Sequence, residues 1–202
     1  MNAQVALVDY GAGNLQSVRN ALKAAGAGNV LVTADPDAVA LADRIVLPGV
    51  GAFAHCMNSL SAIDGMVEAL AAATGTGGKP FLGICVGMQL MAESGEEHGS
   101  HAGLGWIKGV VREMPGSSAV KIPHMGWNDV VPVSDHPLIR GGEAYFLHSF
   151  AFEGDTVLAT TSHGGSVVAA IGAGNRIGVQ FHPEKSQRYG LEFLSRFLEW
   201  AP

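Results

Sequence analysis

The strongest constraint on this chain is an alternation in its first half: short apolar runs that read as buried strands, separated by stretches with helical spacing. "QVALVDYG" opens the series. Asn14 then caps a helix whose Leu15, Val18, Leu22 and Ala25 recur at helical intervals before Gly26 and Gly28 end it. "VLVTA" (30–34) and "RIVLPG" (44–49) give two further strands, a helix is expected over much of 52–72, and "KPFLGI" supplies a fourth strand. Apolar strands alternating with helices need both faces covered, which predicts a parallel sheet between helical layers.

Beyond residue 105 the texture changes to hairpin-like pieces, "GWIKGVVREM", "DVVPV", "AYFLHSF", "TVLATTS" and "SVVAAIGAGNRIGVQFHP", with "GAGN" and "TSHGG" as turns. The expected fold class is therefore α/β: a central, largely parallel sheet flanked by helices, with added antiparallel strands in the C-terminal half. A closing helix over about 187–200 places Leu191, Leu194 and Leu198 on one face, with Phe193 and Phe197 beside it. No linker or repeat interrupts the pattern, and 202 residues with 48% hydrophobic content suit one domain over 1–202.

The net charge of -6 and the scattered Lys and Arg provide no basic stripe, so no nucleic acid is expected as a partner. No basic region precedes a long apolar stretch, and no window reaches the roughly 18 apolar residues of a membrane span. A soluble, cytoplasmic protein with no membrane partner is expected. Polar "ESGEEHGSHAG" (93–103) reads as a loop, and its His98 and His101 lack the orienting partners of a metal site, so no metal is expected. "GAG" at 11–13 lacks the third glycine of a dinucleotide fingerprint, and Tyr10 before it is read as shaping a loop; no cofactor is expected.

Two cysteines are too few for a disulfide framework. Cys56, in "AHCMNSL", reads as packing. Cys85 stands apart, because "FLGICVGMQLM" places it between Gly83 and Gly87 where a strand passes into a helix. That is the pattern of a nucleophile elbow, with cysteine where hydrolases carry serine and the side chain held up into solvent. Glycines are needed there because side chains would crowd the sharp turn or the approaching substrate, and the following helix start favours a thiolate. A buried, inert cysteine is the plain alternative.

A nucleophile needs a base. "GVQFHPEKS" delivers His182 at the end of a strand, Pro183 sets the bend, and Glu184 two residues on would orient the imidazole. "LPGVGAF" (47–53) has the glycines that let backbone N–H groups of Val50 or Gly51 face an oxyanion, with the N–H of Val86 as second donor; an ordinary turn is the alternative.

Together, "GICVGMQLM", "LPGVG" and "FHPEKS" resemble the class I (triad) glutamine amidotransferases. "VDYGAGNLQSV" and "KIPHMGWN" narrow the resemblance to the glutaminase subunits of imidazole glycerol phosphate synthases, over almost the whole chain. The resemblance implies Cys85 as nucleophile, His182 as base and Glu184 as orienting acid, and a glutamine site at Gln89, Gly51, Ser149 and Phe150. Phe150 stands where the family more often has Tyr, which removes a hydroxyl and leaves main-chain contacts intact. The implied partner is a (β/α)8-barrel cyclase subunit that receives ammonia through a channel, forming a heterodimer in histidine biosynthesis. Asn14, Trp127, Tyr145 and Lys185 would lie at or near the docking face; Trp127 in the core and Lys185 as a plain solvated charge are the alternatives. A stand-alone cysteine hydrolase, or an amidotransferase serving another synthase, would keep the fold, as would a non-catalytic binding module lacking a triad member.

Overall fold

The computed structural model describes residues 3–118 and 120–202. In the first half, β1 (Gln4–Val8), α1 (Leu15–Ala24), β2 (Asn29–Thr33), α2 (Pro36–Leu41), β3 (Arg44–Gly49), α3 (Phe53–Ser61), α4 (Met66–Thr74) and β4 (Phe81–Cys85) alternate. A single helical turn, α5 (Val86–Gln89), follows, then β5 (Ala92–Gly95), β6 (His101–Ala102) and β7 (Ile107–Glu113). The second half adds β8 (His124–Pro132), β9 (Gly142–His148), β10 (Phe150–Gly154), β11 (Val157–Ser162), β12 (Ser166–Ala173), β13 (Arg176–Val179), a 3-10 turn (Pro183–Lys185) and α6 (Gln187–Glu199).

Nine strands form one sheet in the order β2-β1-β3-β4-β13-β12-β11-β8-β9, and β10-β7-β5-β6 form a second. Pairing is parallel from β2 through β13 and antiparallel from β13 outward to β9, which is the mixed α/β architecture expected of the chain. The parallel strands are buried on both faces, with Val5 to Val8, Ile45 to Leu47 and Phe81 to Leu82 wholly inaccessible. No helix among the described residues is long and apolar enough to cross a membrane.

Three elements differ from the sequence reading. The helix expected over 52–72 is two helices, because Gly65 adopts φ +77° between them. The segment 93–103 carries β5 and β6 rather than a loop alone, and Glu97 within it accepts from the Phe53 N–H at 2.7 Å, capping α3 where Ala52 offers no side-chain acceptor. On α6 the buried stripe is Gly190, Phe193, Leu194 and Phe197, with Leu191 and Leu198 only partly covered. The two phenyl rings lie against the sheet, and burying each contributes about 1.5–3 kcal/mol. At the other end of the chain, Asn14 does cap α1, its Oδ1 accepting from Ser17 N–H at 3.3 Å.

This topology decides where chemistry sits. β4 lies between β3 and β13, with Gly49 in register with Cys85 and Val179 in register with Ile84. Segments far apart in sequence therefore emerge side by side at the carboxyl ends of three adjacent parallel strands, the edge where open α/β sheets hold their ligands.

Candidate active site

Cys85 ends β4 with φ +54° and ψ −111°, a conformation that side chains rarely adopt. Gly83 and Gly87 explain how the turn fits. Neither is among the glycines with positive φ. A Cβ on Gly87 would lie 1.9 Å from the Leu47 carbonyl oxygen, and one on Gly83 would lie 2.6 Å from that of Gly87. The glycines allow backbone to rest on backbone, so that α5 crosses β3 and β4 directly; the strained turn itself is made at the cysteine. The thiol is not held out in solvent, as the sequence suggested, but lies 3% exposed at the base of a pocket of about 200 Å³. Such a volume, below the roughly 300–1,000 Å³ of drug-sized sites, suits a ligand of amino-acid size. Since α5 is one turn long, its dipole is small.

His182 follows β13 and lines the same pocket. Its main-chain N–H donates to the Tyr145 carbonyl at 2.8 Å, and Ser186 Oγ donates to the His182 carbonyl at 2.6 Å. The ring Nδ1 sits 2.8 Å from Glu184 Oε1, both side chains being almost wholly buried. Burial pulls the His182 ring down, but the Cys85 sulfur, as hydrogen-bond partner and charge, and the Glu184 carboxylate outweigh it and hold the ring up at about 10. Glu184 Oε2 is buried with no hydrogen-bond partner among the described residues, so the carboxylate's bonding is directed to the imidazole. The sulfur and the imidazole thus line one pocket, and the carboxylate holds the imidazole from its Nδ1 side.

The pocket wall also contains Val50, Gly51, Val86, Gln89, Ser149 and Phe150, with Glu97, Leu147, His148 and Lys185. Gly51 takes φ +104°, open to glycine. The strand preceding it is held from behind: Tyr10 Oη donates to the Pro48 carbonyl at 2.7 Å, and Cys56 Sγ donates to the Val50 carbonyl at 3.4 Å. Cys56 is buried, which pushes its thiol up to about 11. Gln89, only 3% exposed, donates through Nε2 to both the Phe150 carbonyl and Gln180 Oε1, each at 3.0 Å.

The sequence reading missed three features. Gln180 reaches Cys85 Sγ, and Glu97 enters the pocket from the segment taken for a loop. His124 and His148, paired across β8 and β9, join through Nδ1 and Nε2 at 3.1 Å. His148 Nδ1 faces the Phe150 carbonyl at 2.9 Å and must therefore carry the proton, which leaves its Nε2 to accept from His124 Nδ1–H and His124 Nε2 to accept from Asn128. Burial holds both rings down at about 4, and neighbouring histidines add to it.

Outside the pocket, Trp127 is not core: it is 47% exposed and pairs with Tyr145 on one face of the β8–β9 ribbon, ring centroids 6.2 Å apart. Lys185 Nζ lies 5.7 Å from the Tyr145 ring centroid and also lines the pocket. Met125 and Leu147 extend the exposed apolar face beside it. Asn14 is exposed at the start of α1, away from that ribbon in the chain but on a helix that packs against the Pro183–Lys185 turn. His98 and His101 belong to no group of three or more potential metal ligands among the described residues.

The family model for glutamine amidotransferase class-I matches residues 6–200. "Imidazole glycerol phosphate synthase subunit HisH" of Zymomonas mobilis is 62% identical, covering 100% of this chain and 98% of its own. The same-named protein of Rhodopseudomonas palustris is 52% identical over 98% of this chain and 99% of its own. Among solved structures, a glutamine amidotransferase crystal structure superposes with a TM-score of 0.73 at 17% identity, covering 96% of this chain and 98% of that one. PurLQS from Thermotoga maritima gives 0.70 at 20% identity, covering 98% and 97%. At those identities the structural likeness speaks for the fold alone.

Proposed function

The chain belongs to the class I glutamine amidotransferase family, within the group of HisH subunits of imidazole glycerol phosphate synthase, and from that premise we propose a glutaminase that feeds ammonia to a cyclase subunit. The observation that carries the proposal is that Cys85 and a His182 held by Glu184 line one amino-acid-sized pocket.

In this reading His182 holds the proton taken from Cys85, and the thiolate attacks the side-chain amide carbon of glutamine. The carbonyl oxygen becomes an oxyanion that accepts from main-chain N–H groups of Val50 or Gly51 and Val86. Collapse breaks the C–N bond, and His182 gives its proton to the departing nitrogen, releasing ammonia and leaving a γ-glutamyl thioester. His182 then takes a proton from water, the hydroxide adds to the thioester, and glutamate leaves as the thiol is restored.

Gln89 suits the amino-acid end of the substrate. Both its N–H bonds are committed to Phe150 and Gln180, so Oε1 remains its acceptor for an ammonium group. Main-chain groups of Gly51, Ser149 and Phe150 complete the contacts. The partner is a (β/α)8-barrel cyclase subunit in a heterodimer, docked near Asn14, Trp127, Tyr145 and Lys185, where a closed interface keeps ammonia from water. The chain acts in the cytoplasm. Reconstitution with the cyclase tests the proposal: glutamine must support imidazole glycerol phosphate formation, and Cys85→Ala must abolish that while free ammonia still drives it.

A further inference from the structure

Gln180 is a polar side chain with no solvent access, placed between Val179 and Phe181 where β13 ends. A buried amide in an apolar strand costs stability unless its hydrogen bonds are made. Here the partners run in one direction. The Phe150 carbonyl can only accept, so the group of Gln89 facing it, 3.0 Å away, is the NH2. That same nitrogen donates its second hydrogen to Gln180 at 3.0 Å, which makes the receiving atom Oε1. The Gln180 NH2 is thereby turned to Cys85 Sγ, 3.6 Å away. A main-chain oxygen on β10 sets the polarity of the whole chain of bonds down to the sulfur. The Gln180 main-chain N–H is itself fixed to the Ala169 carbonyl at 2.9 Å.

The other contact to the sulfur favours the opposite protonation state. The Leu147 carbonyl oxygen, 3.8 Å from Sγ, accepts from a thiol and repels a thiolate. An N–H aimed at sulfur does the reverse, and donors to a charged acceptor bond roughly twice as strongly as neutral pairs.

We propose that Gln180 is a further catalytic residue: its Nε2 amide donates to Cys85 Sγ and stabilises the thiolate that attacks glutamine, its orientation locked through Gln89 by the Phe150 carbonyl. The role rests on the glutaminase reading, but the contact to sulfur is testable without glutamine. The titratable groups around or near the sulfur are His182, Cys56, Tyr10, Glu97, His148 and Lys185, none of which the test alters.

The test is alkylation of Cys85 by iodoacetamide as a function of pH, followed on the Cys85 peptide by mass spectrometry in wild type, Gln180→Met and Gln180→Glu. Methionine keeps the bulk without the donor, and glutamate turns an acceptor to the sulfur. Gln180→Met moves the alkylation profile to higher pH by about one unit and slows labelling about tenfold below its midpoint. Gln180→Glu slows it further. Profiles that superpose on wild type in folded variants overturn the proposal, whatever their glutaminase activity. Should both variants fail to fold, NMR of the wild-type protein decides: the Gln180 side-chain amide resonances move as the Cys85 thiol titrates and stay fixed in Cys85→Ala. Resonances that do not move with the thiol also overturn it.

Discussion

Glu184 Oε1 lies 2.8 Å from His182 Nδ1 in a setting where both side chains are almost wholly shielded from water. The contact makes Nδ1 a donor and orients the ring, which is what the proposed mechanism asks of an acid beside its base.

Replacing that acid by its amide isostere removes the charge and keeps the shape. Glu184→Gln lowers the rate of glutamine hydrolysis by about 10²- to 10⁴-fold at near-constant KM. Because the folded His182 value lies above the ordinary 6.5, its contribution to stability is full below pH 6.5 and fades as pH rises through about 10. The stability gap between wild type and variant, from urea unfolding, is therefore wider at pH 6 than above pH 10.

Cys85 carries backbone strain that only its side chain makes costly. Cys85→Gly, although inactive, is more stable than Cys85→Ala by about 1 kcal/mol, the reverse of the usual Gly–Ala order. Paired denaturation curves check this; the ordinary order would mean the turn at φ +54° is unstrained.

Backbone contact at Gly87 leaves no room for a methyl group, since its Cβ would meet the Leu47 carbonyl oxygen at 1.9 Å. Gly87→Ala displaces α5 or costs about 3 kcal/mol or more, and activity is lost with it. Gly165→Ala, facing open space with no positive φ, is the control and stays within about 0.5 kcal/mol.

Acid acts on the His124–His148 pair. Both folded values lie near 4, below the ordinary 6.5, so the unfolded chain takes up these protons first. Their contribution to stability is intact above pH 6.5 and is lost as pH falls towards 4. The urea midpoint therefore drops across that window, and ring NMR shows both histidines still neutral at pH 5.5; cationic rings there would contradict the assigned bonds.

Much of this was legible in the residues. Apolar runs delimited β1 to β4 because parallel strands buried on two faces have little tolerance for polar positions. Cys85, His182 and Glu184 stood out because glycines flank the first and a proline separates the other two, and the structure brings the three segments together at one pocket. Gln180 did not, although a lone glutamine inside "GVQF" was the available signal; its meaning depends on Gln89, a neighbour created by the placement of β13 beside β4. The His124–His148 bond was hidden for the same reason, being set by the register of two distant antiparallel strands. The break at Gly65 was hidden because helical spacing continues on both sides of it.

In the proposed mechanism Cys85 carries the γ-glutamyl thioester, and trapping that adduct during turnover locates it. The chain, assembled with its cyclase subunit and saturated with glutamine, is quenched in acid during turnover and its peptides are weighed. A γ-glutamyl group on the peptide containing Cys85, and none on that containing Cys56, is the predicted result; glutamate accumulating while Cys85 stays unmodified, or an adduct on Cys56, would contradict it.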